Sequence, residues 1–290
     1  MLTVLQTALE VGLIYGLVAL ALFISFSILN IADLSTDGCF TLGCAVGAML
    51  TIAGHPILAL FAAMAAGMLS GYVTAFLQTR LGVESILAGI ISNTGLYTIN
   101  LAVMGFSSNV SITGVDTVFS LFKGLVGGQW SRLILLALIA AVLVLVLIRF
   151  FGTSIGLSIR ATGDSLDMVS ASSINPKATI TIGLCLANAL TALSGCLIGE
   201  YNKFCDINLG TGMVTIALAS LIIGEVFAGR RGSVGKRVVC VVLGSIVYRF
   251  IIALALRLNI SAEYFKLVSA VIVAVAIAAP NMKGYVRLAK

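Results

Sequence analysis

Charged residues are scarce in this chain, and their scarcity limits what it can be. Only 10% of the 290 residues are Asp, Glu, Lys or Arg, while 60% are hydrophobic, and the mean hydropathy is +1.16. Soluble domains carry about 25% charged residues, so this composition does not supply a water-facing surface. The sequence therefore predicts an integral membrane protein and excludes a soluble enzyme or binding module.

Residue types that carry catalysis or bind metals are also few. The single histidine, His55, lies in a Gly-His-Pro segment, and the six cysteines form no C-x-x-C pair. A histidine-based triad and a zinc site are therefore not expected. No Walker A pattern occurs either, since the nearest segment, G-R-R-G-S-V-G-K-R at 229–237, ends in Arg. We expect no cofactor, no metal and no ATP hydrolysis in this chain.

Long apolar runs divide the chain into candidate transmembrane helices, since a span needs about 20 apolar residues. They predict an all-α polytopic membrane protein of about eight to ten spans, built as a single domain over 1–290. Segment 105–130 is interpreted as an external loop with a short interfacial helix, and 150–178 as a cytoplasmic loop. The candidate spans are 7–29, 38–53, 57–79, 86–104, 131–149, 179–199, 212–228, 238–257 and 266–282.

The basic residues between these spans indicate an orientation, because cytoplasmic loops are enriched in Lys and Arg. Placing the loop at 80–85, the loop at 149–178, the loop at 229–237 and the C-terminal tail inside puts eleven basic residues on the cytoplasmic side, against five outside. The C-terminus is therefore predicted to be cytoplasmic. The first 79 residues contain no Lys or Arg, so the side of the N-terminus stays open. These short basic segments do not resemble a nucleic-acid surface.

Two carboxylates interrupt the apolar sequence early, in N-I-A-D-L-S-T-D-G-C-F at 30–40. An unpaired charge is costly in hydrocarbon, so Asp33 and Asp37 need an explanation. In one reading Asp33 or Ser35 caps the helix that follows, and Asp37 lies in its first turn, where a negative charge is favoured. In the other reading they contact solute along a translocation path.

Other polar residues inside predicted spans have the same two interpretations, a helix–helix hydrogen bond or a path for solute. In the fourth span they are Asn93, Thr94 and Asn100, and in the sixth span Asn188. Two G-x-x-x-G spacings, at Gly43/Gly47 and Gly67/Gly71, are interpreted as close helix packing.

Two further charged residues lie in or near spans. Glu225, near the cytoplasmic end of its span, is predicted to pair with Arg230 or Arg231. Arg249 lies deep in the next span, and the sequence indicates no partner for it.

The longest polar stretch, 150–178, predicts a short cytoplasmic helix lying across the membrane. Asp164 is a candidate N-cap, Asp167 would lie in the first turn, and Leu166 and Val169 would share one face. Such a helix is either a solvated connection or a docking element for a soluble partner.

Several segments, in order, resemble those of ABC importer permeases of the branched-chain amino acid and ribose group. The first is R-A-T-G-D-S-L-D-M-V-S-A-S-S-I-N-P at 160–176, followed by A-N-A-L-T-A-L-S-G at 187–195. L-N-I-A-D-L-S-T-D-G-C-F-T-L-G at 29–43 is similar to permeases of tyrosine/tryptophan-type uptake systems. Ser165 and Ser173 depart from the usual Asn and Gly of the family segment. Further similar segments lie at 201–212, 218–225 and 243–249.

The resemblance implies an importer subunit in the inner membrane of a bacterial cell. It would form a homodimer, associate with two ATPase subunits inside and receive an amino acid, aromatic ones included, from an extracytoplasmic substrate-binding protein. ATP and magnesium would be used by the ATPase. The resemblance also implies a coupling helix running from about Gly163 to Asn175. Its coupling residues would be Gly163, Asp164, Leu166, Asp167, Val169, Ile174 and Asn175.

Three alternatives stay open from the sequence. One is an ion-coupled secondary transporter, which would need an essential buried acid such as Asp33, Asp37 or Glu225. Another is an ABC permease for a sugar or nucleoside, and the third is a scaffold or receptor that transports nothing. The path candidates common to the transport readings are Asp33, Ser35, Asp37, Asn93 and Asn188.

Overall fold

The computed structural model describes residues 2–128, 130–229, 232–257 and 270–271, and these are almost entirely helical. The spans are α1 (Leu2–Leu22, continued by a π-helical turn Phe23–Ile28), α2 (Thr36–Ile52), α3 (Pro56–Thr79), α4 (Ser85–Val103), α6 (Ser131–Phe151), α9 (Pro176–Asn202), α10 (Met213–Ala228) and α11 (Val234–Arg257). Between them lie β1 (Asn109–Ser111), α5 (Val118–Val126), α7 (Ser154–Asp164), α8 (Leu166–Ala171) and β2 (Phe204–Asp206).

The hydropathy pattern located the spans correctly. Eight of the nine predicted spans coincide with helices, and the ninth, 266–282, lies outside the described residues except at 270–271. Six of the helices have the length and apolar composition of a full crossing, whereas α2 and α10 are shorter apolar helices. Both short helices begin inside the bundle, at the candidate site described below.

Helix α9 forms the centre of one half of the bundle, and most of its length is buried. Both G-x-x-x-G pairs pack on it, as the packing interpretation requires. A Cβ added at Gly43 would lie 1.9 Å from the carbonyl oxygen of Ala192, and one at Gly67 would lie 2.4 Å from that of Asn188. Backbone therefore meets backbone where α2 and α3 contact α9, which is the usual use of small residues in membrane helices.

Helices α1, α10 and α11 form the other half. Ser245 of α11 donates a hydrogen bond from Oγ to the carbonyl oxygen of Gly12 in α1, at 2.8 Å. Ser194 of α9 donates in the same way to the carbonyl oxygen of Ile14, at 2.7 Å, and so joins the two halves through α1. Helix α6 packs against α1, where the rings of Phe23 and Phe151 meet edge to face with centroids 6.3 Å apart.

The two short strands identify one end of the bundle. β1 and β2 pair antiparallel, with Val110 opposite Cys205, so the segments after α4 and after α9 lie at the same end. We call this end the strand face, and the opposite end, which holds α7 and α8, the coupling face. The short helix predicted within 105–130 is α5, but the strands were not predicted, because three residues show no recognisable alternation.

The same geometry shows on which side the chain begins. Tyr201, next to β2, donates from its hydroxyl to a carboxylate oxygen of Glu10 at 2.9 Å, so the first turns of α1 lie at the strand face. The last turn of α1, at Ile28, contacts Gly163 of α7 at the coupling face. The N-terminal end of α1 and the coupling segment therefore lie at opposite ends of the bundle.

Helix α5 is held to the strand face by a buried carboxylate. Glu200 of α9 accepts the backbone N–H of Val118 at 2.8 Å and the hydroxyl of Thr51 at 3.0 Å. Thr117 and Ser120 add a reciprocal capping box at the same helix start. Caps of this type satisfy the unpaired N–H groups of a first turn.

Candidate functional site

The connection between α1 and α2 turns back into the bundle instead of staying at the coupling face. The π-helical turn ends in backbone hydrogen bonds that span more residues than those of an α-helix, such as the bond from Ile31 N–H to the Ser25 carbonyl at 2.8 Å. Asn30 then takes a left-handed conformation with φ of 57°, which reverses the chain. π-helical turns are frequent at functional sites in membrane and soluble helices. Here the reversal brings the next polar residues to the middle of α9.

Asp33 lies at the end of this connection, in a buried cluster with Ser35 and Asn188. Its carboxylate accepts the backbone N–H of Ser35 at 2.9 Å, the Ser35 hydroxyl at 2.6 Å and the side-chain amide of Asn188 at 2.8 Å. Asp33 is 3% exposed and Asn188 is 1% exposed. Three donors thus satisfy the buried carboxylate, and no Lys or Arg of the described residues forms an ion pair with it.

The prediction that Asp33 or Ser35 caps α2 is wrong. Ser35 stands at the N-cap position, but its side chain makes no capping bond to the first turn of α2. Its hydroxyl donates to Asp33, and the Asp33 carboxylate binds the N–H of Ser35 itself. Ser35 has helical backbone angles, with φ of −75° and ψ of −11°, whereas a capping residue normally has an extended backbone.

Asp37 occupies the first turn of α2, as predicted, but it caps a different helix. Its two carboxylate oxygens accept the backbone N–H groups of Gly212 and Val214, each at 2.9 Å. These groups belong to the start of α10, where the helix dipole favours a negative charge. Asp37 therefore ties the N-terminal ends of the two short helices to each other.

A polar cavity of about 320 Å³ opens beside Asp37, between α2, α4 and the segment that leads into α10. Small-molecule sites usually have a volume of about 300–1,000 Å³. Its lining is mostly amides and hydroxyls, which is unusual in so apolar a chain. The lining residues are Asp37, Gly38, Thr41, Asn93, Thr94, Tyr97, Asn100, Ile207, Asn208 and Thr211.

The structure thus separates the predicted path residues into two groups. Asp37 and Asn93 line the cavity, whereas Asp33, Ser35 and Asn188 form the buried cluster beside it. Sequence reasoning missed Tyr97, Asn208 and Thr211 as members of the cavity. Asn208 and Thr211 lie in Y-N-K-F-C-D-I-N-L-G-T-G, a segment already noted for its resemblance, so a signal for them was present.

The coupling segment is two helices instead of one, and Asp164 does not cap the second. Asp164 is the last residue of α7, because Thr153 caps that helix and it continues without a break from Ser154. Ser165, in extended conformation, caps α8 by accepting the N–H of Met168 at 3.3 Å. The family-typical Asn would also be a good cap there, so Ser165 preserves the function of the position.

The remaining coupling candidates divide between α8 and the start of α9. Asp167 lies in the first turn of α8, Val169 is 1% exposed, and Leu166 is 53% exposed, so the two apolar residues do not share an environment. Ile174 and Asn175 lie beyond the helix, contrary to the predicted extent of the coupling helix. Asn175 caps α9 by accepting the N–H of Lys177 at 3.0 Å.

Gly163 places the coupling segment directly against α1. A Cβ added there would lie 1.8 Å from the carbonyl oxygen of Ile28, so no other residue fits without movement of backbone. On the other side of the connection, Gly89 of α4 approaches the N–H of Leu34, where an added Cβ would lie at 2.7 Å. The connection that carries Asp33 is thus enclosed between the coupling segment and α4.

Comparison with known proteins identifies the family. A family model described as "Branched-chain amino acid transport system / permease component" matches residues 4–277. The chain belongs to this permease family. The permease is 31% identical over 272 residues to the tyrosine transport system permease protein of Clostridioides difficile (strain R20291), covering 93% of this chain and 89% of that protein.

A second relative extends the match without naming a function. An uncharacterized protein of Rickettsia prowazekii (strain Madrid E) is also 31% identical over 272 residues, covering 93% of the permease and 95% of that protein. No solved structure matches the permease. It is a multi-pass membrane protein and the permease component of a transport system.

Two further charged residues of the permease have partners that the sequence did not reveal. Glu225 pairs with Arg237 of α11 at 2.6 Å, while Arg230 and Arg231, the predicted partners, lie outside the described residues. Ser27 of the π-helical turn donates to Glu225 and accepts from Arg237. Arg249 lies over the ring of Tyr15, 3.9 Å from the centroid, which is a cation–π contact.

Replacing Glu225 by Gln in the permease should lower stability modestly. The pair is partly exposed, with side chains 36% and 28% accessible, so a loss of about 1 kcal/mol is expected. Thermal unfolding in detergent measures it, with Glu84→Gln as the control, because Glu84 is exposed and its side chain makes no capping bond. Equal melting temperatures for the two variants would show that the Glu225–Arg237 pair contributes nothing.

Proposed function

We propose that this permease is the membrane subunit of an ABC importer that moves an amino acid, aromatic ones included, into the cell. The observation that carries the proposal is the polar cavity beside Asp37, which lies at the N-terminal ends of the two short helices in a chain whose family is that of amino acid transport permeases. The name of the tyrosine transport relative supports the inclusion of aromatic amino acids. ATP and magnesium are used by a partner subunit, and this chain holds no cofactor.

The ATPase would dock on the coupling face. Helix α8 presents Leu166 and Met168 there, 53% and 55% exposed, which is apolar surface available to a soluble partner. The direct contact of Gly163 with Ile28 would carry displacement of this segment into the connection before α2. A pair of ATPase subunits thus has both a docking surface and a mechanical route to the cavity.

The distribution of basic residues supports a cytoplasmic coupling face. Among the described residues, that end holds Arg80, Arg149, Arg160, Lys177, Lys236 and Arg237, while the strand face holds Lys123, Arg132, Lys203 and Arg257. The excess on the coupling face follows the positive-inside rule. The strand face then lies outside, where a substrate-binding protein would deliver the solute, and the predicted span 266–282 would return the C-terminus to the cytoplasm of a bacterial cell.

The exposed polar residues of helix α4 support a homodimer, in which a second copy of the permease is the partner. Thr94 and Tyr97, which line the cavity, are also exposed on the surface of the single chain in the middle of this helix, where a lipid-facing helix is apolar. Polar groups at membrane depth face protein or a water-filled cavity. A homodimer that apposes two α4 helices would satisfy this rule and place the cavity next to a shared central path.

Reconstitution in proteoliposomes tests the function and separates it from its rivals. The permease, its ATPase and its binding protein are expected to take up labelled tyrosine when ATP is supplied and not when only an ion gradient is imposed. Excess unlabelled leucine, ribose and uridine serve as competitors, of which the amino acid alone should compete. Uptake driven by a proton or sodium gradient without ATP would establish an ion-coupled transporter instead, and competition by ribose or uridine would identify a sugar or nucleoside permease.

Changing Leu166 to Asp should uncouple the permease from its ATPase. Because Leu166 is half exposed, the variant is expected to fold normally, while a charge on the docking surface lowers ATPase copurification and uptake by at least tenfold. Leu166→Met is the control, since it keeps an apolar side chain of similar volume. Normal copurification and uptake by Leu166→Asp would exclude α8 as the docking element.

A further inference from the structure

We infer that the cavity beside Asp37 binds the solute directly and receives the α-ammonium group of a zwitterionic amino acid between Asp37 and Asn100. The inference rests on the proposed function and goes further, because it assigns the groups that recognise the solute. It excludes solutes that carry a carboxylate but no ammonium group.

Asn100 supplies the first reason. It lines the cavity, is 1% exposed and donates from its side-chain nitrogen to the carbonyl oxygen of Gly38 at 3.0 Å. Its side-chain oxygen has no hydrogen-bond partner among the described residues. Buried polar atoms in native proteins are nearly always paired, so this unpaired acceptor, in a residue that lines the cavity, is a position where a small side-chain movement would let a donor of the solute bind.

Asp37 supplies the second reason. Each carboxylate oxygen accepts one N–H from the start of α10, and a carboxylate has about four acceptor positions, so acceptor capacity remains. The part of the lining that the structure describes contains no Lys, Arg or His. Among those residues the formal negative charge is balanced by backbone dipoles alone, which favours a cationic group in the solute and disfavours an anionic one.

The rest of the lining suits the other end of an amino acid. Asn93, Asn208 and Thr211 carry amide and hydroxyl donors that can bind a carboxylate, and Tyr97 can stack against an aromatic side chain. These donors are neutral, so they orient the carboxylate but do not hold it as tightly as an arginine would. The ammonium group is therefore the decisive element of recognition.

Ligand-induced stabilisation of the purified full-length permease in lipid nanodiscs tests the assignment. The probes are L-tyrosine, tyramine, which lacks the carboxylate, and 3-(4-hydroxyphenyl)propionate, which lacks the ammonium group. L-tyrosine and tyramine are expected to raise the melting temperature in a saturable manner, and the propionate is expected not to. A rise with the propionate equal to that with L-tyrosine, or no rise with either amine, would overturn the inference.

The variant Asn100→Leu removes the unpaired oxygen and should weaken tyramine binding at least tenfold. Its melting temperature without ligand is measured in parallel, because the variant removes both the unpaired oxygen and the hydrogen bond from Asn100 to the Gly38 carbonyl. Asn202→Leu is the control, since Asn202 is exposed and does not line the cavity. Wild-type affinity in Asn100→Leu would contradict the inference, and the three probes on the wild-type protein decide it if the variant does not fold.

The outcome is distinguishable from failure of the proposed function. ATP-dependent uptake of tyrosine in the reconstituted importer, together with no binding by the isolated permease, would reject the solute site and leave the import function intact. Saturable tyramine binding without ATP-dependent uptake would support the solute site and reject the import function.

Discussion

Gly43→Ala is expected to prevent the two central helices from packing and to cost the permease most of its folded yield. The added Cβ would lie 1.9 Å from the carbonyl oxygen of Ala192 and 2.5 Å from its Cα, far inside contact distance. Both atoms are backbone, so no side-chain rotation relieves the clash. Helix α2 must move away from α9, and the cost should reach or exceed the upper part of the usual overpacking range of about 1–3 kcal/mol.

Fluorescence-detected size-exclusion chromatography and thermal unfolding of the purified protein measure this effect. Gly95→Ala is the matched control, because Gly95 also lies in a spanning helix and an added Cβ meets no atom within 4 Å. The control should melt at the wild-type temperature, and Gly43→Ala well below it. Wild-type melting of Gly43→Ala would mean that α2 and α9 are not in backbone contact.

Asp33→Asn should destabilise the buried cluster, and a second change should recover part of the loss. An asparagine at 33 keeps one acceptor for Ser35 but turns an amino group toward the side-chain amide of Asn188, so donor faces donor. A buried group left unsatisfied costs about 1–3 kcal/mol. Adding Asn188→Asp reverses the direction of that hydrogen bond and should recover at least half of the loss, although the bond from Asn188 to the Leu184 carbonyl is then missing.

The double-mutant cycle is measured by unfolding, in parallel with uptake. Contacting residues show coupling energies of about 0.5–3 kcal/mol, so additive effects of the two changes would show that Asp33 and Asn188 do not interact. We expect the uptake by each of these variants to decrease as its free energy of unfolding decreases. If Asp33→Asn melted like the wild type but lost all transport, the carboxylate would instead be serving ion coupling.

The sequence predicted those properties that depend on neighbouring residues. Eight spans could be located because apolar character is summed over about 20 consecutive positions, and α5 because its apolar residues lie close together. The start of α2, predicted near 38 and observed at Thr36, was also recognisable, since the N-I-A-D-L-S-T-D-G segment interrupts an apolar run.

Partners distant in sequence could not be predicted in this way. Asp37 was correctly placed in a first turn, yet the N–H groups that it binds lie 175 and 177 positions further on. The same limit applies to Glu225, which pairs with Arg237 on the following helix, whereas the predicted partners Arg230 and Arg231 lie outside the described residues. Asp164 failed for a local reason, because Ser165 is an equally suitable cap one residue later.

The family resemblance drew attention to the 160–176 segment, which local patterns alone left as either a solvated connection or a docking element. It did not indicate that Gly163 of this segment packs directly on the backbone of Ile28. That detail follows only from the positions of α7 and the π-helical turn. It also explains why a glycine stands in a segment otherwise suited to a helix.

The central position of α9 has a consequence for biogenesis. The two helices that pack most closely on it, α2 and α3, end at Ile52 and Thr79, whereas α9 begins only at Pro176. α1 also packs against α11, which begins only at Val234, so this contact can form only after still more of the chain has been synthesised. During synthesis the first four spans therefore enter the bilayer before most of their permanent neighbours exist, with their glycine-lined faces still against lipid. Tertiary assembly of this protein is a late event, governed by contacts of large sequence separation, and truncation anywhere before α9 should yield inserted helices that are targets for membrane proteases.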